Sequence, residues 1–562
     1  MTNMLETAKE QVREIILKTV GELVAAGKLP EEAMPAFNVE IPADSKNGDL
    51  SSNAAMVAAR AFKKSPRDIA ALITENAYLD ESYFEKCETA GPGFMNFFYS
   101  PKWFADSVGE ILSNGEHYGE TNLGGGKKVL IEFVSANPTG PMHIGNARGG
   151  AIGDCLASVM QTAGFDVSRE FYVNDAGNQI EKFKTSLEVR YLQIYKDGIE
   201  MPEDAYLGED ITAHAKAFAE KFGDAYVDSP SEERRQALCD FALPKNIKTL
   251  ENDLLKYRIT YDRWFKESEL HQSGAVVDVI ERLKASGYTY EQDGALWFKS
   301  SDLGDEKDRV LVRENGVPTY VVPDIAYHYD KLMTRGFDRA IDILGADHHG
   351  YIPRMKAAMT ALGVDASKLD MVIMQMVNLV RNGEKYKLSK RSGKAITLST
   401  LLDEIPIDAA RFFFNLREPN SHFDFDLDLA VSQTSQNPVY YVQYAHARIC
   451  SILKNFADEG IEVKPFEAAQ GELLSAPEEK ELIKHLAKLP DCVNESARDY
   501  NPSAVTRYVI ETATLYHKFY SACRVKCDDE DLRQARISLC LAVKQVIKNV
   551  LDMLKISCPE HM

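Results

Sequence analysis

Residues Val129–Asp154 read VLIEFVSANPTGPMHIGNARGGAIGD. Val129, Leu130, Ile131, Phe133 and Val134 make a short apolar run rich in β-branched and aromatic residues, which predicts a buried strand. Ser135, Asn137, Pro138, Gly140 and Pro141 form a turn cluster. His143, Ile144, Gly145 and Asn146 then open a segment of small residues (Ala147, Gly149, Gly150, Ala151, Gly153), which predicts a helix packed closely on a neighbour. A strand that delivers its C-terminal end to a glycine-rich helix start is where open α/β sheets bind nucleotides, because free N–H groups and the helix dipole face the phosphates. The pattern is neither G-x-G-x-x-G nor the Gly-Lys-Ser phosphate loop. A histidine stands where those motifs have only glycine and backbone.

Working outward, composition sets the frame. A chain of 562 residues suggests about three or four domains. Apolar content of 45% and charged content of 27% fit filled cores with a solvated surface. The N-terminus MTNMLETAKEQVREIILKTV lacks an apolar signal core, and no window approaches the ~18 apolar residues of a membrane span. Of nine scattered cysteines only Cys523 and Cys527 are close, with no second pair beside them. Reduced core thiols in a cytoplasmic protein are expected, with no disulfide frame and no structural zinc. The net charge of −20 excludes indiscriminate coating of nucleic acid. The deficit lies upstream: from Glu481 onward there are 12 Lys+Arg against 11 Asp+Glu.

In chain order, residues 1–118 mix helical and strand patterns. Leu5, Val12, Ile15, Ile16, Val20 and Leu23 form an apolar helical stripe; Phe94, Asn96 and Phe98 alternate as a strand. An α+β domain is expected there. Gly124–Gly126 read as a linker, and a catalytic α/β domain is expected over 119–400. Polar helical patterns predict a helical insertion at about 185–290. Strand character returns at YDRWF and ALWFKS, and strongly in DRVLVRENGVPTYVVPDIAYHYDK, AIDILGADHHGY and MVIMQMVNLV. Residues 401–437 read as a connecting helical segment, and 438–562 as an all-α bundle. The expected fold class is multidomain α/β, with a Rossmann-like catalytic domain between an N-terminal α+β domain and the C-terminal helices.

Two motifs carry chemistry jointly: His143-Ile144-Gly145-Asn146, and Lys387-Leu388-Ser389-Lys390-Arg391 in a Gly- and Lys-rich loop. Adenylation of a carboxylate by ATP needs little acid–base help. The carboxylate attacks the α-phosphorus and pyrophosphate leaves. The catalyst must steady charge building on the phosphates, which takes positioned donors and cations. A lysine on a long stem can follow that charge through the transition state. Each motif alone is a common accident. Together, in order, each in its strand–loop–helix setting, they are specific.

On these residues the chain resembles a known family. HIGN with KLSKR resembles the paired signature, HIGH with KMSKS, of class I aminoacyl-tRNA synthetases. EFVSANPTGPMHIGN, VNDAGNQI, LGADHHGY, DAARFFFNLREPNSHFDFDLDLA and QYAHARI are similar to the arginyl-tRNA synthetase subfamily, over nearly the whole length. The chain departs at Asn146, where the signature has histidine, and at Leu388 and Arg391, where methionine and serine are usual; both lysines are kept. The resemblance implies ATP with Mg²⁺, L-arginine and tRNA(Arg) as partners, and a monomer. It implies that Pro138, Gly140, His143, Gly145, Asn146, Lys387, Ser389 and Lys390 meet ATP, with His143, Asn146, Lys387 and Lys390 catalytic. It implies that Glu132, Ser135, Asn137, Tyr320, Asp324, Asp347 and His348 surround the arginine. Glu132 and Asn137 would form the α-amino and carboxylate end, and Tyr320 and Asp324 would meet the guanidinium. A guanidinium is planar, always charged and has five donors, so a carboxylate such as Asp324 suits it. A metal at Asp347-His348-His349 is not expected, since neighbours at a strand end point to opposite faces.

The implied anticodon-binding bundle carries Tyr508, Tyr516, Phe519, Tyr520 and Arg524, aromatics for base stacking beside a cation. At helical spacing about half of such aromatics serve the core. The N-terminal domain is the implied contact to the outer corner of tRNA, through Asn47-Gly48-Asp49 to Asn53, although a turn and helix cap explains that stretch equally well. Two other readings stay open: a different class I synthetase, and a non-catalytic tRNA-binding relative. No Cys/His cluster supports the zinc pocket of cysteine enzymes, and intact His143, Lys387 and Lys390 argue against a non-catalytic relative.

Overall fold

Five parallel strands position everything else. The computed structural model describes residues 3–386 and 397–562. Strands β1 (Lys128–Glu132), β2 (Asp166–Val173), β3 (Arg263–Lys266), β4 (Arg339–Gly345) and β5 (Leu369–Met374) lie in the order β5-β4-β1-β2-β3, and every neighbouring pair is parallel. Val129, Leu130 and Ile131 are fully buried, as a central parallel strand covered on both faces requires. From β1 the chain runs through helix α1 (Ile144–Thr162) to β2 on one side, while β4 continues to β5 on the other. The two halves part between β1 and β4, and a crevice opens at their carboxyl ends.

The small residues of α1 let it lie against the sheet. A Cβ on Gly153 would come within 2.3 Å of Phe133, and one on Gly150 within 2.7 Å of Ile259. Val134 and Ser135 leave β1 with φ of 71° and 40°, a strained exit that points the chain into the crevice.

The span expected as a helical insertion contains β3, an edge strand of the parallel sheet. Its sequence, RWFK, overlaps the stretch YDRWF whose strand character the sequence shows, so the insertion is interrupted by a strand and is not helical throughout. The helical part is Gly177–Tyr195, Glu209–Phe222 and Ser231–Lys256, with its own core around Phe183, Leu187, Tyr191, Phe218 and Leu238. Gly124–Gly126 are not a free linker. The Gly124 and Gly126 N–H groups donate to the carbonyls of Ala163 and Gly164, 2.8 Å each, so the chain crosses the end of α1 on its way into β1. The segment 401–437 is not purely helical: Phe423–Asp426 pairs in parallel with Val377–Arg381.

In the N-terminal domain the stripe of helix Met4–Ala25 is buried as its spacing requires, beside a four-stranded antiparallel sheet. In strand Phe94–Tyr99 the buried members are Met95, Asn96, Phe97 and Tyr99; Phe94 and Phe98 are only half-buried. Asp49 is an interface residue, accepting from the Tyr99 N–H at 2.7 Å and pairing with Lys484 of the bundle. The bundle consists of helices Pro438–Asp458, Pro477–Leu486, Leu489–Arg498, Ser503–Ala522 and Glu530–Met553. Arg411 ties it to the sheet domain: fully buried, it donates to Asp154 of α1 (2.6 Å) and to the carbonyls of Tyr257 (2.9 Å) and Leu554 (2.8 Å). Among the described residues no helix is long and apolar enough to cross a membrane.

Candidate active site at the carboxyl ends of β1 and β4

Parallel register aligns three acidic side chains across neighbouring strands. Asp342 of β4 stands beside Glu132 of β1, which stands beside Glu170 of β2. All three are buried, and three like charges away from water would repel strongly. Each is met. The Lys331 ammonium, fully buried, donates to Glu132 Oε2 at 2.6 Å and to Asp342 Oδ1 at 2.7 Å. His328 places Nε2 2.7 Å from Asp342 Oδ2. Arg335 Nη2 and the Tyr327 hydroxyl donate to Glu170 Oε1 at 2.9 and 2.6 Å. Burial opposes charge on Asp342, but Lys331 and His328 outweigh it and hold its carboxyl well below the usual carboxylate range. Burial likewise opposes charge on Lys331, yet Asp342 and Glu132 lift its ammonium above the ordinary value.

Asp324 lies in the first turn of the helix Val321–Tyr329 that overlooks this row. Burial raises its pKa to about 7, Glu267 and Glu132 push the same way, and His328 and Arg354 offset this only in part. The Glu267 carboxyl is also raised by burial. The crevice therefore has acidic groups that a permanent cation would stabilise.

Several expected arginine contacts converge here. Ser135 Oγ donates to Glu132 Oε1 at 2.8 Å and accepts the Tyr172 N–H at 3.1 Å. Both carboxylate oxygens of Glu132 are thus engaged. Asn137 is exposed at the lip, while Pro138 is buried and its carbonyl accepts from Asn246 of the helical insertion at 2.9 Å. Tyr320 is not brought in: it is 69% exposed at the start of its helix, and turns to solvent. Asp347 and His348 sit on an exposed turn after β4 and face each other at 3.1 Å. Asp175 of VNDAGNQI caps a neighbouring helix, accepting from the Ser268 N–H and hydroxyl.

On the nucleotide side, His143 is exposed at the N-cap of α1, with Gly145 and Asn146 in the first turn and Gly140 in the preceding loop. Asn146 Oδ1 accepts the His143 N–H at 3.0 Å, so Asn146 closes a capping box while its amide N–H₂ remains a donor. Lys387, Ser389 and Lys390 lie outside the described residues. The residues that follow their loop return to the signature: Thr397 forms an antiparallel bridge with His143, and the Leu398 N–H donates to the Met142 carbonyl at 2.9 Å.

Sequence reasoning missed Lys331, His328, Asp342, Glu170 and Arg148. Asp324, His328 and Lys331 are spaced i, i+4, i+7, one helical face, and Asp342 interrupts an apolar strand; both were usable signals. Arg148 is fully buried in α1, its guanidinium donating to the carbonyls of Gln375, Glu418 and Ser421, and burial lowers its pKa to about 10.

The bundle corrects the expected RNA contacts. Tyr508, Tyr516 and Phe519 are buried in the core, with Tyr508 donating to the Leu486 carbonyl at 3.0 Å. Their helical spacing served packing. Tyr520 is half-buried and Arg524 exposed. The accessible aromatic–cation cluster lies next to them: Tyr440, Tyr441, Tyr444, Arg448 and His517 line a cavity of about 440 Å³. The Arg448 guanidinium lies 5.3 Å from the Tyr444 ring and 4.6 Å from the Tyr520 ring.

A parallel sheet with a histidine-bearing helix start at its switch point, bridged to the end of a distant lysine loop, defines a class I tRNA synthetase. Family models match along the chain: "Arginyl tRNA synthetase N terminal domain" over 7–99, "tRNA synthetases class I (R), catalytic domain" over 107–449 and "DALR anticodon binding domain" over 442–562. The chain belongs to the arginine–tRNA ligase family. It is 53% identical over 562 residues to the arginine–tRNA ligase of Caldanaerobacter subterraneus and 51% identical over 564 residues to that of Acetivibrio thermocellus, with all of each chain covered. Among solved structures it is similar to a putative arginyl-tRNA synthetase from Campylobacter jejuni (35% identity, TM-score 0.74, 82% of this chain and 100% of that one). The Thermus thermophilus arginyl-tRNA synthetase, at 22% identity, shares the fold (TM-score 0.74, 99% of this chain and 100% of that one).

Proposed function

We propose how the residues of this arginine–tRNA ligase divide the work. ATP enters with Mg²⁺ carried on its phosphates and lies along the Pro138–Asn146 loop and the start of α1. His143, the free amide of Asn146, Lys387, Ser389 and Lys390 steady the charge that builds as the arginine carboxylate attacks the α-phosphorus. Glu132, Ser135 and Asn137 orient the amino-acid end, and Asp324 meets the guanidinium. Asp347 and His348 border the pocket. Tyr320 joins only if its helix start turns inward. The arginyl group then passes to the terminal ribose of tRNA(Arg), whose anticodon loop stacks in the Tyr440–Tyr441–Tyr444–Arg448–His517 cavity, with Tyr520 and Arg524 at its edge. The N-terminal domain reaches the outer corner of the tRNA. The enzyme acts as a monomer in the cytoplasm, where these substrates meet.

The observation that carries this reading is the bridge from His143 to Thr397, which sets the first described residue after the Lys387–Arg391 motif beside the signature helix. Amino-acid-dependent pyrophosphate exchange, with and without tRNA, tests it. Exchange with arginine alone, and only with tRNA present, is the expected result. Exchange with another amino acid, or none, refutes it.

A further inference from the structure

Lys331 follows Asp324 by seven residues, where the helix widens into a π-helical turn, Asp330–Thr334. Such turns are rare and recur at functional sites. This one delivers a fully buried ammonium between two strands, 2.6 Å from Glu132, 2.7 Å from Asp342 and 4.1 Å from the Tyr327 ring centroid. The other oxygen of Asp342 is held by His328 Nε2, and His328 Nδ1 lies 2.7 Å from the backbone carbonyl of Asp324. One chain of hydrogen bonds therefore runs Ser135–Glu132–Lys331–Asp342–His328–Asp324. It joins the strained exit of β1 to the helical turn that carries the guanidinium countercharge. Remote members of such a chain act by fixing the groups that touch substrate.

We infer that Lys331 is a positioning residue of the arginine pocket. It holds Glu132 fixed, and it sets the spacing between β1 and the Asp324 turn. Without its ammonium, Glu132 and Asp342 lose the cation they share, like charges face each other across neighbouring strands, and Glu132, held only by Ser135, is free to turn. Asp324 stays the carboxylate that the substrate itself completes. The inference rests on the reading that arginine lies between Glu132 and Asp324.

The test is a double-mutant cycle on the full-length protein with tRNA, using arginine-dependent pyrophosphate exchange between pH 6 and 9. Lys331→Met, Glu132→Gln and the double variant are compared. Lys331→Met is expected to raise the arginine KM about tenfold or more, with the ATP KM within about twofold. In the Glu132→Gln background the same substitution should add less than about twofold. Equal losses in both backgrounds, or matched rises in arginine and ATP KM, overturn the inference and leave the pocket reading standing. An unchanged arginine KM in Glu132→Gln refutes the pocket reading instead. Should Lys331→Met fail to fold, Lys331→Gln, which keeps an N–H donor, is judged by the same criteria.

Discussion

Asp324→Asn isolates the countercharge of the pocket, keeping the shape and one acceptor but removing the charge. Each hydrogen bond to a charged group contributes about 1.5–3 kcal/mol, and a forked guanidinium–carboxylate contact has two. The gross contribution is therefore about 3–6 kcal/mol. Two features reduce the loss. Asn retains one acceptor, about half of the fork. Asp324, with a pKa of about 7, is half protonated in the empty site at pH 7, and ionising it takes back about 0.4 kcal/mol. A net loss of about 1.1–2.6 kcal/mol remains, roughly a 6- to 80-fold drop in kcat/KM for arginine. Stability should move the other way. A carboxyl whose folded pKa lies above its ordinary 3.8 costs stability at high pH, and the cost shrinks as pH falls through about 7 toward 3.8. At pH 8 the ceiling of that cost is about 4 kcal/mol, so Asn should raise Tm by several degrees there, and by less at pH 5. Aminoacylation titrated with arginine at pH 6, 7 and 8, beside thermal melts, reads both. In the parent enzyme the arginine KM should fall as pH rises through 7; in Asp324→Asn that dependence should flatten. An arginine KM within threefold of the parent at pH 8, or a lowered Tm, refutes the assignment.

Other substitutions separate the remaining roles. Tyr444→Ala should raise the KM for tRNA by about 10- to 100-fold, as losing one base stack implies, with the arginine KM unchanged; filter binding at two salt concentrations checks it. Tyr516→Ala, in the bundle core, should instead cost about 3–5 kcal/mol of stability, read as a fall in Tm. Gly153→Ala forces a Cβ into Phe133 and should lower both Tm and turnover, since α1 must move off β1 and carry His143 with it. Lys390→Ala should depress turnover in pyrophosphate exchange by roughly 100-fold or more while the ATP KM changes little; an ATP-binding defect with normal turnover would contradict its assigned role.

The parallel sheet was legible in the sequence because buried parallel strands are apolar runs with glycine-rich punctuation. Val129–Val134, Ala340–Leu344 and Met371–Met374 all meet that description. β3 was legible only as the short strand character of YDRWF, since an edge strand of four residues needs no such run and its place in the parallel sheet is set by tertiary pairing. Among the site residues, those carried by motifs were readable: His143 and Asn146 at a helix start, Glu132 at a strand end. Lys331 and Asp342 were unreadable as a pair. Their meeting depends on tertiary folding, and a buried lysine in a polar-looking DKLMTRG stretch has the local signature of a solvated one. The bundle aromatics failed for the opposite reason. Tyr508, Tyr516 and Phe519 repeat at helical spacing, which is what a core stripe does, whereas the exposed cluster draws Tyr440 and Tyr444 from one helix and His517 from another.

Selectivity for a guanidinium follows from sheet register. In a parallel sheet, residues that end neighbouring strands at the same level stand side by side, so acids in β4, β1 and β2 form a row by topology alone. Left to itself such a row would set three like charges against one another away from water. Lys331, His328 and Arg335 prevent this by matching Glu132, Asp342 and Glu170 internally. In the proposed pocket the countercharge left for the substrate is Asp324, set one layer above on a helix that the same network fixes. A neutral analogue of arginine would leave Asp324 without a cation and about half protonated at pH 7, forgoing the charge-assisted contact. Arginine, always charged, converts it to an ion pair.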